Sequence, residues 1–408
     1  LDCLCDRYEK VFGEKVKARL YAVPTSTLAY EFTRKIYTLL GMPVENIFSD
    51  FTSYDLIGNN NEKIIKELKD MQFNTIIGNP PYQETLEAGR SLAKQLFPSF
   101  IETGIILCPK YLSLITPARW FTADAQDNSF PKLRDFVRKN NHISSLTTHN
   151  GKKLFPNTEL GVVNYFLWDK DYNGDVTFVE KTSDQLSALK RPLFEKELEI
   201  IIPQNNMVSV IQKIKDTNFI PLNTITSGRD AFGIVGKNFE SRSMSEPFDG
   251  AVAVQCAYEQ VRFVARDSIS KGIDFLENYK VFTSKGNGGA GLLTDGKPVN
   301  IIGKSYVGLP SMACTDSLIP FGKFKTLTEA QNLQKYMSTK FLRFCVGILK
   351  VSQNLYQNVY SFVPMQDFTT NSDIDWSKSI PEIDAQLYAK YGLSEEEMAF
   401  IESMIKPM

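Results

Sequence analysis

A short polar segment, Asn79-Pro80-Pro81-Tyr82, combines residue types that could hold a reacting amino group. The Asn79 amide carries a carbonyl oxygen, and two successive prolines fix the backbone while removing two amide donors. The carbonyl groups of this turn are therefore left to accept hydrogen bonds, and Tyr82 adds an aromatic ring beside them. An exocyclic amino group, with its two N–H bonds, needs acceptors of this kind.

The amino nitrogen of adenine is a poor nucleophile, because its lone pair is delocalised into the ring. A catalyst must hold both N–H bonds and favour a pyramidal nitrogen, and the Asn79 side-chain oxygen and the Pro80 carbonyl can supply the two acceptors. Tyr82 offers a face on which a flipped base stacks. A methyl group could then pass in line from a sulfonium donor without a covalent enzyme intermediate. Taken alone, so short a segment is also compatible with an ordinary turn.

The segment follows an apolar run, residues 73–77, that predicts a β-strand ending at Gly78. Strand and helix patterns alternate around it, which predicts an α/β fold with a doubly wound sheet and an antiparallel strand near its end. Such sheets bind ligands beyond the carboxyl ends of their strands, where this segment lies. Further strands are predicted at 18–23, 111–116, 143–147 and 162–168, and helices at 26–40, 62–71, 92–107 and 131–139.

These motifs resemble those of the adenine-N6 DNA methyltransferases of type II restriction-modification systems, in particular the TaqI-methylase-like gamma class with its Asn-Pro-Pro-Tyr signature. The resemblance covers residues 18–170 with specific motifs and continues more diffusely beyond them. It implies a Rossmann-like methyltransferase sheet and S-adenosylmethionine as the methyl donor. It also implies that Asn79, Pro80, Pro81 and Tyr82 are catalytic and that Asn79 contacts the cofactor.

The same resemblance gives roles to residues outside the turn. Asp50 and Phe51 match an acid that accepts from the adenine amino group of the cofactor and an apolar residue that packs on that ring. Phe100 lies where the family places another cofactor contact, although a Phe on an amphipathic helix more often belongs to the core. Phe155, within the segment 152–156, matches the residue that stacks on the target base opposite Tyr82, with ordinary core packing as the alternative.

The chain departs from the family pattern at two places. Where the family's second cofactor segment ends in an acid that accepts from the ribose hydroxyls, this chain has Pro24 or Thr25. The glycine-rich loop after the first strand is missing, and residues 1–11 look like the helix that follows it. We therefore expect a chain truncated at its amino end and a sheet that lacks a central strand.

From about residue 181, short β-like runs and turns replace the earlier alternation, with a strand predicted at 279–284 and a turn at Asp295-Gly296. Residues 286–291 match Gly-x-Gly-x-x-Gly literally, but no helix follows them, so we expect a hairpin tip near the DNA backbone instead of a nucleotide site. Helices return at 327–350, with a break near residues 338–339, and at 394–404. We predict a catalytic domain over 1–180 and a mixed α+β target-recognition domain with carboxyl-terminal helices over 181–408.

Methylating one adenine among many requires a part that reads neighbouring base pairs, and the second half has room for it. Its basic residues are candidate DNA contacts, although a solvated surface charge is the commoner role for each. The stretch 350–356 resembles a loop that approaches the gap left by the flipped base. The candidates are Lys153, Lys285, Arg343 and Lys350, together with Arg229 and Lys304.

The composition narrows the classes of protein and partner. The 408 residues suffice for two domains, and the net charge of -1 gives no global attraction to phosphate. Six scattered cysteines and two histidines predict reduced thiols in a cytoplasmic protein and no metal site. No apolar run reaches the roughly 18 residues of a membrane span. We expect double-stranded DNA as the partner, with a fused or separate restriction nuclease as a further candidate.

Three other functions remain open at this point. Enzymes that methylate a glutamine amide in release factors share the Asn-Pro-Pro-Tyr turn but lack a long carboxyl-terminal reader. An RNA methyltransferase would be expected to carry an RNA-binding module or a basic tail. A non-catalytic DNA-specificity fragment is the third alternative, because the donor loop is missing.

Overall fold

The fold is taken from a computed structural model of the chain. It describes residue 10 and residues 16–59, 61–84, 94–123, 127–158, 160–181, 186–196, 198–236, 239–257, 260–287, 298–350 and 354–408. The chain separates into two compact units: one holds residues 1–116, 135–144 and 165–174, and the other holds residues 117–134, 145–164 and 175–408.

The first half of the chain is a mixed α/β fold whose strands form one six-stranded sheet of order β1-β2-β4-β3-β5-β6. The helices are α1 (Thr27–Leu40), α2 (Glu62–Asp70), α3 (Phe97–Ile106), α4 (Ser129–Lys139) and the single turn α5 (Gly151–Leu154). The strands are β1 (Thr75–Gly78), β2 (Tyr111–Pro117), β3 (Ile143–Asn150), β4 (Val162–Asp169), β5 (Val176–Lys181) and β6 (Leu186–Arg191).

The sheet mixes parallel and antiparallel pairs, as the sequence predicts. Strand β1 runs parallel to β2, β3 runs parallel to β5, and β6 pairs antiparallel with β5. The β5–β6 pairing joins Lys181 to Leu186, so the sheet continues past the predicted domain boundary at 180 and ends at Arg191. The specific Rossmann arrangement and the missing central strand stay predictions.

Helix α1 shows how local sequence sets the ends of an element. Its N-cap residue Ser26 accepts from the Ala29 amide at 3.2 Å, which satisfies one of the free amides of the first turn. Gly41 ends the helix in the left-handed conformation, at φ 65°, which glycine adopts without strain. Helices α1 and α2 and strands β1 to β4 match the predicted elements closely.

Two predicted elements are corrected. The strand expected at 18–23 is wrong: residues Lys17–Arg19 form a turn of 3-10 helix, and Ala22 makes only an isolated bridge to Ile47. The Asn46 side chain donates to the Ala18 and Leu20 carbonyls at 3.0 and 3.1 Å, which occupies acceptors that a strand would use. The helix expected at 92–107 begins only at Phe97.

The region beyond β6 contains two three-stranded sheets, of order β10-β9-β12 and β11-β7-β8, and a cluster of helices. Its strands are β7 (Ala251–Gln255), β8 (Val261–Ala265), β9 (Tyr279–Ser284), β10 (Tyr306–Gly308), β11 (Met312–Cys314) and β12 (Leu318–Phe324). Its helices are α6 (Asn205–Lys215), α7 (Ile273–Leu276), α8 (Leu327–Ser338), α9 (Lys340–Leu349), α10 (Ile380–Lys390) and α11 (Glu395–Met404).

The predicted strand at 279–284, the final helix and the helix break are confirmed. The break is produced by Thr339, whose hydroxyl donates to the Tyr336 carbonyl at 2.6 Å and accepts from the Leu342 amide at 3.2 Å. Thr339 thus ends α8 and caps α9. The Asp295-Gly296 turn and most of the glycine cluster lie outside the described residues. No helix in the described ranges is long and apolar enough to cross a membrane.

Candidate active site

A cavity of about 370 Å³ opens in the first unit beside the carboxyl end of β1. Asn79, Pro80 and Pro81 line it, together with the whole of β1 and Phe100 from α3. Further lining residues include Tyr21 and Thr25, from the segment before α1, and Phe48. The first three members of the predicted catalytic turn and one predicted cofactor residue therefore share one cavity, of a size usual for small-molecule sites.

The predicted catalytic turn directly follows Gly78, the last residue of β1, where β1 packs closely against β2. A Cβ atom at Gly78 would lie 3.3 Å from Leu114 Cδ2 on β2, tighter than most real contacts, so glycine favours the approach of the two strands. Asn79 follows as an exposed residue, with Pro80 and Pro81 half-buried behind it. The Asn79 amide thus has access to solvent at the edge of the cavity.

Tyr82 is fixed by its backbone and by its ring. Its carbonyl accepts from the Leu96 amide at 3.0 Å, and the next residues pair through an isolated bridge between Gln83 and Gln95. These contacts account for the late start of α3. The Leu96 amide, which a helix beginning at residue 92 would use internally, donates to Tyr82, and Leu96 is the N-cap of α3.

The Tyr82 ring is half-buried and packs edge-on against Phe97. Its hydroxyl oxygen is buried and has no hydrogen-bond partner among the described residues. Burial also raises the pKa of Tyr82 above its ordinary value. The ring is therefore held by apolar packing, and the hydroxyl contributes no visible contact to its position.

Two aromatic side chains that line the cavity, called the aromatic wall below, were not predicted from the sequence. Tyr21 and Phe48 form it: the Tyr21 ring lies 6.1 Å from Phe48 and 5.3 Å from Phe73, measured between centroids. The available signal in the sequence was one aromatic residue within each of the two segments matched to the family's cofactor motifs: Tyr21 and Phe48.

The predicted cofactor residues divide between the cavity and its surroundings. Phe100 lines the cavity and is also 9% exposed, so its core and site roles coincide. Phe51 is absent from the cavity lining and instead packs on Phe48, with centroids 4.9 Å apart. Asp50 is exposed, does not line the cavity, and accepts from the Ser49 hydroxyl at 3.1 Å. Pro24 and Thr25 occupy the position where the family has an acid that binds the ribose. Thr25 lines the cavity, whereas Pro24 is buried and is not part of the lining.

Phe155 and Lys153 lie in the second unit, around the single turn α5. Asn150 caps this turn by accepting from the Lys153 amide at 3.1 Å, and the Phe155 amide donates to the Gly151 carbonyl at 2.8 Å. Phe155 is half-buried and Lys153 is exposed. The stacking of Phe155 opposite Tyr82 and the DNA contact of Lys153 stay predictions.

Two of the residues predicted to contact DNA are buried. Arg343 is 1% exposed, and its guanidinium donates to the Thr339 and Lys406 carbonyls at 3.0 and 2.6 Å. Lys350 is also 1% exposed, and its ammonium donates to the Asn287 carbonyl at 3.0 Å. Both cations are therefore engaged by backbone carbonyls inside the unit, and their contacts with DNA stay predictions that this burial disfavours. Lys285, Lys304 and Arg229 retain partly or fully exposed positions.

The described residues thus form a mixed α/β protein with a small-molecule cavity at the carboxyl end of a parallel strand. No group of three or more His, Cys, Asp or Glu side chains in the described part of the chain could hold a metal ion.

Comparison with known proteins gives the family to which this site is similar. Residues 19–155 match the family of the Eco57I restriction-modification methylase. The chain is 31% identical over 206 residues to an uncharacterized adenine-specific methylase of Mycoplasma pneumoniae, covering 46% of this chain and 48% of the relative. It is 28% identical over 132 residues to the type II restriction enzyme and methyltransferase RM.Eco57I of Escherichia coli, covering 28% of this chain and 13% of the relative.

Among solved structures, one match is the type IIL restriction-modification enzyme MmeI, determined in complex with DNA. The TM-score is 0.44 and the sequence identity is 10%, over 92% of this chain and 57% of MmeI. The type IIG restriction endonuclease BpuSI matches with a TM-score of 0.36 and 14% identity, covering 84% and 54%. The chain spans about half the length of the first curated relative and a smaller share of the second. The family match and the curated relatives confirm the predicted resemblance to the methylases of restriction-modification systems.

Proposed function

We propose that the protein transfers a methyl group from S-adenosylmethionine to the exocyclic N6 of an adenine in double-stranded DNA. The observation that carries the proposal is that Asn79 and Pro80, directly after β1, line the cavity of about 370 Å³. The segment matched by the methylase family includes both residues. The Mycoplasma pneumoniae relative is described as an adenine-specific methylase, which favours adenine as the target base.

The cavity residues fit a nucleoside-containing methyl donor. Tyr21 and Phe48 offer aromatic faces for an adenine ring, and Thr25 and the β1 end offer polar groups nearby. S-adenosylmethionine supplies an electrophilic methyl on a sulfonium, so the protein needs no metal and no covalent nucleophile. The role left to the chain is to bind the donor in the cavity and to hold the N6 nitrogen of the target adenine next to the donor's methyl group.

Asn79 and Pro80 perform the second part of that role. The Asn79 side-chain oxygen and the Pro80 carbonyl accept the two N–H bonds of the target amino group, which favours a pyramidal nitrogen with its lone pair toward the methyl. Pro81 keeps the turn rigid, so these acceptors lose little entropy on binding. Tyr82, held against Phe97, presents a ring on which an extruded base stacks, with Phe155 as the proposed opposite face.

The region 181–408 is proposed as the part that recognises the DNA sequence around the target. Two alternatives use the same catalytic turn: an amide nitrogen of a protein glutamine, or a base amino group in RNA. A third alternative is a DNA-binding fragment without catalysis. All three predict a different pattern of methyl incorporation from the one expected for a DNA methyltransferase.

The test is the transfer of labelled methyl from S-adenosylmethionine to four acceptors in parallel: duplex DNA of mixed sequence, the same sequence as duplex RNA, ribosomal RNA and release factor. We expect incorporation into duplex DNA, with the label recovered after digestion as N6-methyl-2′-deoxyadenosine. Incorporation into RNA or release factor alone would replace DNA as the substrate. DNA binding without transfer to any acceptor would favour the non-catalytic alternative.

A further inference from the structure

A second cavity, of about 510 Å³, lies in the second unit, near the ends of strands β7, β9, β10 and β12. We call it the basic cleft. Two of its described lining residues, Lys285 and Lys304, are cationic, and none of them is acidic. The lining residues are Cys256, Ala257, Ser284, Lys285, Gly286, Asn287, Lys304, Tyr306, Ser317, Leu318 and Asn354.

The backbone around Lys285 is held from two sides. Its amide donates to the Ser317 carbonyl at 2.9 Å, and its carbonyl accepts from the Leu355 amide at 2.9 Å. Strand β9 pairs with β12 immediately before it, and Gly286 makes an isolated bridge to Asn354. The lysine therefore projects from a fixed frame, which lowers the entropy lost when its ammonium binds a ligand.

The charge of the cleft is organised around Asp316, just behind its lining. The Lys285 ammonium lies 2.7 Å from Asp316 Oδ2, and the Arg229 guanidinium lies 3.9 Å from the same oxygen. The Gly236 amide donates to the other carboxylate oxygen at 2.9 Å. One carboxylate thus holds two cations, and the Lys285 side chain remains 30% exposed. Lys304 adds an exposed ammonium 5.8 Å from the Tyr306 ring centroid.

We propose that the basic cleft binds the phosphodiester backbone of DNA, with Lys285 and Lys304 as the phosphate contacts. The proposal rests on DNA as the substrate of the proposed function. Because the whole chain carries a net charge of -1, attraction to phosphate must come from a local cationic surface of this kind. The side chains of Ser284, Ser317 and Asn287 at the cleft are of the types that donate to phosphate and sugar oxygens.

The test measures the equilibrium affinity of the protein for a fluorescent DNA duplex across a series of salt concentrations. Lys285→Gln and Lys304→Gln should each weaken binding several-fold at low salt. The double variant should flatten the slope of log K against log salt by about 2, because each phosphate contact contributes roughly 0.9 to that slope. Asp316→Asn should tighten binding, because it removes the negative charge beside Lys285.

Lys323→Gln is the matched control, because Lys323 is an exposed lysine of the same unit, outside the cleft lining, that pairs with Asp274 at 3.2 Å. It should leave the affinity and the slope unchanged. Thermal unfolding of each variant should match the wild type, and the methyl-transfer rate at saturating DNA should be retained in Lys323→Gln.

The outcomes separate this proposal from the proposed function. Equal affinity and slope for the cleft variants and Lys323→Gln would overturn the cleft as a DNA site, even if the wild type binds and methylates DNA. Strong binding of inorganic phosphate or a free nucleotide, lost in Lys285→Gln while DNA binding is unchanged, would assign the cleft to a small anion instead. A wild-type protein that binds no DNA under any salt condition would overturn the proposed function itself.

Discussion

The Tyr82 ring meets the Phe97 ring edge-on, with centroids 6.5 Å apart and planes at 83°. Since the buried Tyr82 hydroxyl has no partner among the described residues, this apolar contact holds the ring in place. The relationship separates two functions that tyrosine could serve in the catalytic turn: stacking through its ring, or hydrogen bonding through its hydroxyl.

The first prediction concerns this separation. Tyr82→Phe should keep methyl transfer within about 3-fold of wild type and leave unfolding free energy unchanged or raised by up to about 1 kcal/mol, because an unsatisfied buried hydroxyl is costly. Tyr82→Ala should lose at least about 10-fold in kcat/KM, since stacking contributes roughly 1–3 kcal/mol per base. Steady-state kinetics and thermal unfolding measure both. A large loss in Tyr82→Phe would instead assign the hydroxyl a direct role.

The second prediction tests the aromatic wall. Tyr21→Ala and Phe48→Ala should each weaken S-adenosylmethionine binding by about 10-fold, because they remove rings that line the cavity and pack on one another. Isothermal titration with the donor measures this change. Phe32→Ala is the control, because Phe32 is 66% exposed on α1 and outside the cavity lining. Unchanged donor affinity in both wall variants, with native unfolding temperatures, would place the donor elsewhere.

The third prediction is a pH dependence of stability from the carboxyl-terminal helices. Asp384 is buried and accepts from the Lys340 and Phe341 amides at 3.0 and 2.9 Å, at the start of α9. Desolvation raises the pKa of Asp384 to about 6, despite those amide hydrogen bonds and the nearby Arg343. The folded state therefore binds this proton more tightly than the unfolded state. The associated stability is present below about pH 4 and is lost as pH rises through about 6.

The measurement compares wild type with Asp384→Asn by chemical unfolding between pH 4 and 7. Relative to the variant, wild type should lose about 2–3 kcal/mol of unfolding free energy over this window, since one pKa unit corresponds to about 1.4 kcal/mol. Taking the difference cancels the other titrating groups, including Glu402 beside Asp384. A difference that is flat or rises with pH would contradict a raised pKa at this position.

Local signals made part of the fold predictable. Ser26 and Gly41 mark the ends of α1, and the residues at 338–339 mark the break between α8 and α9, because capping depends on neighbours three or four residues away. The predicted strand at 18–23 failed for a longer-range reason, because the Asn46 side chain occupies its carbonyls. The late start of α3 has a similar origin in the Leu96–Tyr82 hydrogen bond.

The candidate site could likewise be predicted only in part from the sequence. The residue types of the segment 79–82 single out Asn79 and Pro80 in the sequence as candidates, and both line the cavity. Which aromatic residue of the segment 46–51 lines the cavity depends on the direction of each side chain in the folded chain. Phe48 lines it, whereas Phe51 packs on Phe48. Burial of Arg343 and Lys350 follows from the packing of distant helices, which a basic residue in a sequence does not reveal.

The most direct test of the central claim is methyl transfer to duplex DNA by wild type, Asn79→Ala and Asn74→Ala, with the protein produced as this chain and with any residues that its gene encodes upstream. Asn74 is an exposed asparagine at the opposite end of β1 and outside the cavity lining, so it controls for loss of the side chain alone.

We predict N6-methyladenine in the DNA with wild type and Asn74→Ala, and a loss of at least about 100-fold in kcat with Asn79→Ala, because an acceptor used in the transition state is removed. The unfolding temperature should persist in Asn79→Ala, and donor affinity should fall by much less than the rate, because Asn79 is only one of the residues that line the cavity. Equal transfer by Asn79→Ala and wild type, or methyl groups found on cytosine, would contradict the account.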